Sequence, residues 1–273
     1  MDVILTGTGS PLPSADRAGP STLVKAGDTN ILVDAGRGVV MRMMAIRVRP
    51  DDLDGVIITH MHSDHICALN DVITTHWVRT RELKPLKIWG PVGTARLVER
   101  TLLMLEDDIG YRTDHHDPLV NGPQVEVIEL EPGDSFAIND VQVTTAETAH
   151  APVHPTIGFR LEHNGSVAAL VGDTRPCDGV DELAAEADVY VQTVLRRDIV
   201  EQLPGPMLQD ILQYHSSVVD AAQTAARVGA KRLAMTHMVP APTPEQYPEW
   251  IARAAEHFDG EIIIGDDLTT ITV

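Results

Sequence analysis

Cysteine is nearly missing from this chain: Cys67 and Cys177 are the only two in 273 residues. Two thiols cannot form a disulfide framework, and their scarcity suits a reducing compartment, so a cytoplasmic protein is expected. Each is read as a small buried hydrophobe. Long apolar runs are missing as well. The opening "MDVILTGTGSPLP" has no basic leader and breaks at Thr6 and Gly7. No later run could span a bilayer, so neither a signal peptide nor a membrane segment is expected. Basic residues are in deficit: 40 acidic side chains against 21 basic ones give a formal charge of −19. That charge repels polyanions at long range and speaks against a general nucleic-acid binder. Two local groups of cations, Arg37, Arg42, Arg47 and Arg49 and then Arg79, Arg81, Lys84 and Lys87, are read as solvated helix faces. Linkers, low-complexity tracts and short repeats are absent, which leaves residues 1–273 as one expected domain.

What is present is a 43% hydrophobic chain, enough for a full core. Short β-branched runs recur at 3–8, 30–34, 55–59, 87–90, 125–130, 141–147, 156–162, 167–172, 189–194, 232–237 and 261–265, and read as strands. Helical patterns cover 38–48, 65–81, 94–106, 180–187, 217–228 and 244–258. Consecutive strands with interspersed helices predict an α/β sandwich of two mixed sheets with helices outside, rather than a doubly wound parallel sheet.

The densest chemistry is "THMHSDH" at 59–65. It follows the apolar run "GVIIT", whose C-terminal end delivers residues to a sheet edge. His60 and His62 then point one way, while Asp64 and His65 open the next helix. Four ligating side chains in six residues are too many for one open site, so the spacing suggests two metal ions. Further ligands are expected at strand ends, and His150, Asp173 and His237 each follow an apolar run where an unpaired polar group would be costly. His76, His115, His116, His163 and His257 are read as surface or capping residues. His154, in "HAPVHP", is read equally as pocket-lining and as loop. "GTGS" near the N-terminus lacks the Lys of a phosphate loop, and Pro11 and Pro13 stand where its helix would begin.

Together with "LVDAG", "TAH", "GDT" and "THMVP", the cluster resembles the metallo-β-lactamase superfamily along almost the whole chain, with the HxHxDH motif at His60, His62, Asp64 and His65. "LTGTGSPLPSADRAGPST" and "YHSSVVDAAQTAARVGAKRLAMTH" are similar to the branch of ribonuclease Z, phosphodiesterases and arylsulfatase-like enzymes. The resemblance implies a four-layer αββα sandwich with a dinuclear site between the sheets. His60, His62 and His150 would hold one ion and Asp64, His65 and His237 the other, with Asp173 bridging. Asp34 would orient ligating histidines from behind, as an alternative to a helix N-terminal acid. Zn²⁺ is the first choice, and a His/Asp set without thiolate also suits Mn²⁺ or Fe²⁺.

Two such ions ~3.5–4 Å apart can bridge a hydroxide and clamp the attacking and leaving oxygens of a displacement. Asp64 would orient the nucleophile. His215, in "YHSS", would contact the leaving group, or alternatively cap a helix or form a buried hydrogen bond; Ser216 and Ser217 are read as caps. In two respects the chain departs from ribonuclease Z. His150 and Asp173 are 23 positions apart, too close for the basic arm that grips transfer RNA, and Gln192 and Thr193 stand where a His-Glu pair would be. The reading favoured is therefore a hydrolase of a small phosphodiester or related ester. A tRNA 3′-processing endonuclease comes second, an arylsulfatase or lactonase third, and a metal-binding scaffold protein is the non-enzyme alternative. The resembling branch also suggests a homodimer.

Overall fold

The computed structural model describes residues 1–80, 84–205 and 209–273. Two seven-stranded sheets face one another. The first contains β1 (Asp2–Gly7), β2 (Ser21–Ala26), β3 (Thr29–Val33), β4 (Gly55–Ile57), β5 (Leu86–Pro91), β6 (Val125–Leu130) and β14 (Thr269–Thr272), in the order β14-β1-β2-β3-β4-β5-β6. The second contains β7 (Ser135–Ile138), β8 (Val141–Glu147), β9 (Ile157–His163), β10 (Ser166–Leu170), β11 (Val189–Leu195), β12 (Arg232–Val239) and β13 (Glu261–Ile264), in the order β13-β12-β11-β10-β9-β8-β7. Each sheet is mixed: β14 to β3 and β7 to β10 pair antiparallel, β3 to β6 and β10 to β13 parallel. The expected sandwich is therefore present, and each half of the chain makes most of one sheet.

Three apolar layers hold this arrangement. Val3, Leu5, Val33, Ile57, Phe159, Leu161, Leu170 and Val191 fill the space between the sheets. On the outer face of the first sheet lie α1 (Val39–Ala45), α3 (Leu69–Arg79) and α4 (Thr94–Met104), which contribute Val39, Met43, Leu69, Val72, Ile73 and Val98. On the second lie α6 (Asp178–Ala184), α8 (Val218–Val228) and α9 (Tyr247–Ala255). Helix α8 shows how the sequence specifies such an element. Val218, Ala221, Ala222 and Ala225 recur at helical spacing and are all buried. Ser217 accepts the Asp220 N–H while Asp220 accepts from Ser217, and Gly229 ends the helix in the left-handed region. Ser217 is thus the cap expected, whereas the Ser216 hydroxyl donates to the Thr174 carbonyl instead.

Some elements differ from expectation. Strands β2, β7 and β14 were not foreseen, because "STLVKA", "SFAI" and "TTIT" are short and rich in Ser, Thr or Ala, and their pairing comes from distant neighbours. The helix expected over 65–81 is two, α2 (Ser63–Ile66) and α3, separated at Cys67 and Ala68, where the Ala68 N–H donates to the Ala35 carbonyl; Arg81 lies outside the described residues. Helix α5 (Glu106–His115) buries no residue, so it had no apolar stripe to reveal it. The short α7 (Arg197–Val200) was likewise not foreseen. Of the two cysteines, Cys67 is exposed and Cys177 half-buried, so neither is the core hydrophobe expected.

His76 and His163 also prove buried rather than superficial. Burial, reinforced by Lys84 and opposed by Asp51, pushes the His76 imidazole down to about 4. An unfolded imidazole titrates near ~6.5, so between these values the unfolded chain binds the extra proton and stability falls as pH falls. This contribution is complete above ~6.5 and vanishes towards ~4, with a size on the order of 2 kcal/mol. Urea midpoints measured from pH 7 to 4.5 should therefore decline less in His76→Gln than in the parent; an identical decline would assign the effect to other groups.

Candidate metal centre

The strand ends of both sheets meet at one edge, and the cluster stands there. After β3, Asp34 adopts φ 59°, a conformation that L side chains rarely take, and its N–H donates to the Ile57 carbonyl at 2.8 Å. This places its carboxylate against the segment that follows β4. Oδ1 accepts the Thr59 N–H at 2.8 Å, and Oδ2 accepts the Thr59 hydroxyl at 2.8 Å and the His65 Nδ1–H at 2.7 Å. With its proton committed to Asp34, the Thr59 hydroxyl accepts from His60 Nδ1 at 3.0 Å. Nδ1 of each ring is thereby engaged, which leaves Nε2 as the atom that faces the cluster. His150 obeys the same rule, donating Nδ1–H to the Tyr214 carbonyl at 2.9 Å.

The second sheet closes on this base through a glycine. Gly172 has φ 64°, and a Cβ there would lie 2.9 Å from the Thr59 side chain, so only glycine permits the approach. The next residue is Asp173. Its Oδ2 lies 3.4 Å from His65 Nε2, 3.5 Å from His237 Nε2 and 3.9 Å from both His60 Nε2 and His150 Nε2. His237, with φ 48°, sets Nε2 3.1 Å from Asp64 Oδ2, and His62 Nδ1 is 3.2 Å from His150 Nε2. All seven residues expected from the sequence are therefore together. They fall into one group of His60, His62, His150 and Asp173 and another of Asp64, His65 and His237. Within each group the donor atoms lie inside 4.8 Å of one another.

This set fits cations better than any internal pairing. His60 Nε2, His65 Nε2, His237 Nδ1 and Asp173 Oδ1 are buried and without a hydrogen-bond partner among the described residues. Such orphaned atoms are costly unless something else engages them. Burial alone would raise the Asp173 carboxyl, but His237, His65 and His215 outweigh it and hold the group well below the carboxylate range, hence anionic. Burial, with His65 adding to it, keeps His60 well below the imidazole range and its lone pair open. His65 shows the reverse: burial opposes its charge, yet Asp173 and Asp34 raise it well above that range, so a proton stands where a cation would be bound. His62 is half-exposed and marks the open side of the cluster.

His215 joins the cluster without sharing its hydrogen bonds. Its ring centroid is 4.8 Å from that of His150 and 5.8 Å from that of His237, and no polar partner engages the ring among the described residues. Burial, opposed by Asp173, pushes it down to about 4, so it is neutral at pH 7. Gln192 and Thr193 do not reach it with a carboxylate. Gln192 is occupied by the Tyr190 hydroxyl and the Thr193 carbonyl, and the Thr193 hydroxyl donates to the Gly172 carbonyl. His154 is not in the cluster. Its side chain is 75% exposed, and it lines a cavity of about 700 Å³ with Glu147, His150, Cys177 and Glu182. The role of Thr59 was missed in the sequence, although it begins the quoted motif.

An αββα sandwich with histidines and aspartates converging at the strand ends defines a metal-dependent hydrolase. A family model described as the beta-lactamase superfamily domain matches residues 29–238. The curated protein "Ribonuclease Z" of Mycolicibacterium gilvum is 50% identical over 275 positions, covering 100% of this chain and 96% of that protein. "Ribonuclease Z" of Mycobacterium tuberculosis H37Rv is 48% identical, covering 100% and 98%. The chain belongs to the beta-lactamase superfamily, in its ribonuclease Z branch. Among solved structures, the metallo-beta-lactamase fold protein YhfI from Bacillus subtilis is similar with a TM-score of 0.77 at 19% identity over 99% of this chain and 98% of that one. Human tRNase Z, short form, is similar with a TM-score of 0.73 at 22% identity over 100% and 99%. These two likenesses concern the fold.

Proposed function

We propose that the protein is a tRNA 3′-processing endonuclease of the ribonuclease Z type. One observation carries this reading: identity of 50% to a ribonuclease Z along the full chain, with all seven candidate ligands converging. The short interval from His150 to Asp173, filled by a loop and the β9–β10 hairpin, had favoured a small ester. That argument loses its force, because 273 residues align with the Mycolicibacterium gilvum protein over 275 positions, leaving no room there for an inserted arm either. A small phosphodiester stays as the second reading, supported by the formal charge of −19.

In this reading His60, His62 and His150 hold one divalent ion, Asp64, His65 and His237 hold another, and Asp173 is shared; Zn²⁺ is the first choice for both. Bound ions would supply a water of lowered pKa and an electrostatic clamp on phosphate oxygens. The chain's own groups do the rest. Asp34 and Thr59 fix the His60 and His65 rings before substrate arrives, so no reorientation is needed during reaction. Asp64 Oδ1, which carries no hydrogen bond among the described residues, is the acceptor available to an attacking water. His215, neutral and close to His150 and His237, donates a ring N–H to a phosphate or leaving oxygen. A single catalytic domain, a homodimer and a cytoplasmic setting belong to the same proposal; no described helix is long and apolar enough to cross a membrane.

The decisive assay offers metal-replete protein a precursor tRNA with a 3′ trailer beside a nitrophenyl phosphodiester, an aryl sulfate and a lactone. The expected outcome is trailer removal with kcat/KM about 10³-fold above that for any small ester, a gap of ~4 kcal/mol in transition-state stabilisation. Turnover of the small diester with the precursor left intact would reverse the order of the two readings.

A further inference from the structure

The acidic chain raises a question that the cluster leaves open: what holds a polyanion at the cleft? Four of the eight cations singled out in the sequence, Arg42, Arg49, Arg79 and Lys84, are occupied by carboxylates. Arg42 pairs with Asp267 at 2.7 Å, Arg49 with Asp52 at 2.7 Å and Arg79 with Asp51 at 2.8 Å. Arg17, which lies in the loop between β1 and β2, is buried and bound to Asp266, Tyr247 and the Gly265 carbonyl. Two arginines at the same edge of the sandwich differ. Arg37 and Arg175 are exposed, and neither side chain has an ion-pair or hydrogen-bond partner among the described residues.

Their positions are not scattered. Arg37 is three residues beyond Asp34, in the loop after β3 of the first sheet, and Arg175 is two beyond Asp173, in the loop after β10 of the second. Both backbones are firmly held. The Arg37 carbonyl accepts the Gly19 N–H at 2.8 Å, and a Cβ on Gly19 would lie 2.5 Å from the Arg37 nitrogen, so the two loops touch. The Arg175 N–H donates to the Ala149 carbonyl at 3.0 Å, beside His150. Each therefore offers an exposed, unpartnered guanidinium on a held backbone, one from each sheet. Other cations without ion pairs, such as Lys25, Lys87, Arg96 and Arg100, sit on strands or helices outside the loops that carry the cluster. Leaving two guanidinium groups unpaired in a chain with 40 acidic residues is what an external anion would complete. Their planar forks match phosphate oxygens, and screening over about 8–10 Å favours cations carried by the loops of the cluster over those elsewhere.

We propose that Arg37 and Arg175 are the backbone-phosphate contacts of the RNA substrate, gripping it from the two sheets on either side of the metal cluster. This rests on the RNA reading above. The test uses the full-length, metal-loaded protein and precursor tRNA, with kcat and KM measured across a KCl series for the parent, Arg37→Gln, Arg175→Gln, the double variant and the two Arg→Lys variants. KM should rise about tenfold for each Gln variant with kcat little changed, and the slope of log(kcat/KM) against log[salt] should shrink by about 0.7 per charge removed. The Lys variants, which keep the charge, should recover most of the slope, and metal content per chain should stay that of the parent. A double variant with the parent's slope and KM overturns the inference, as does a Lys variant as impaired as its Gln counterpart. A parent protein that hydrolyses nitrophenyl diester but leaves precursor tRNA intact overturns the RNA reading and this inference with it.

Discussion

Asp173→Asn lowers turnover about 10³-fold and removes one of two ions per chain, while circular dichroism stays that of the parent; this is the largest effect expected of any single substitution. The reason is its central position. One oxygen of Asp173 lies within 3.9 Å of ring nitrogens from His60 and His150 in one group and from His65 and His237 in the other, the position that a shared ligand would take. Asparagine has the same shape and preserves the packing, but it brings no negative charge, and its NH₂ is useless as a ligand. Activity and ion count, measured on the same sample by a cleavage assay and elemental analysis, should fall together. Full activity with one ion per chain would show that the shared position is assigned wrongly.

Asp34→Ala comes next, although Asp34 touches no candidate ion site. Alanine leaves three buried donors unanswered: the Thr59 N–H, the Thr59 hydroxyl and His65 Nδ1–H. Each orphaned donor costs about 1–3 kcal/mol, the His65 ring loses the partner that holds its tautomer, and the Thr59 hydroxyl is freed to turn its proton towards His60. Metal affinity should fall about 10–100-fold, read by competition with a chromophoric chelator, and the urea midpoint should drop. Asp34→Asn, with one acceptor oxygen left, should fall between alanine and the parent. If alanine left affinity untouched, the aspartate would be a helix-terminal acid and no more.

The cluster was legible in the sequence because its chemistry is local. Four ligating residues in "THMHSDH" and three polar residues at the ends of apolar runs stand out without knowledge of pairing. The sandwich was legible for a similar reason, since β-branched runs such as "VAALVG" and "VYVQTV" are buried on both faces. What could not be read depended on distant partners. Strand β14 is defined by β1, some 260 positions away, and nothing in "TTIT" announces it. The Thr59 link between Asp34 and His60 is three-dimensional, as is the contact of Gly172 with Thr59. His154 lines a pocket with His150 but stands 75% exposed and outside the ligand groups, a distinction that sequence proximity alone does not carry. Substrate choice was the least legible, because the missing arm was weighed without relatives whose full length aligns with this chain.

The order in which the sandwich is assembled has one further consequence, at the ribosome. Strand β14 closes the edge of the first sheet, while the residues just before it complete the second, so residues 269–272 are made after every group in the cluster. A nascent chain can build the β1–β6 region early, since N-terminal parts fold first during synthesis. Yet β1 then presents an open edge until β14 is translated. Completion of the first sheet would thus wait for β14, a delay written into the connectivity rather than into any regulator.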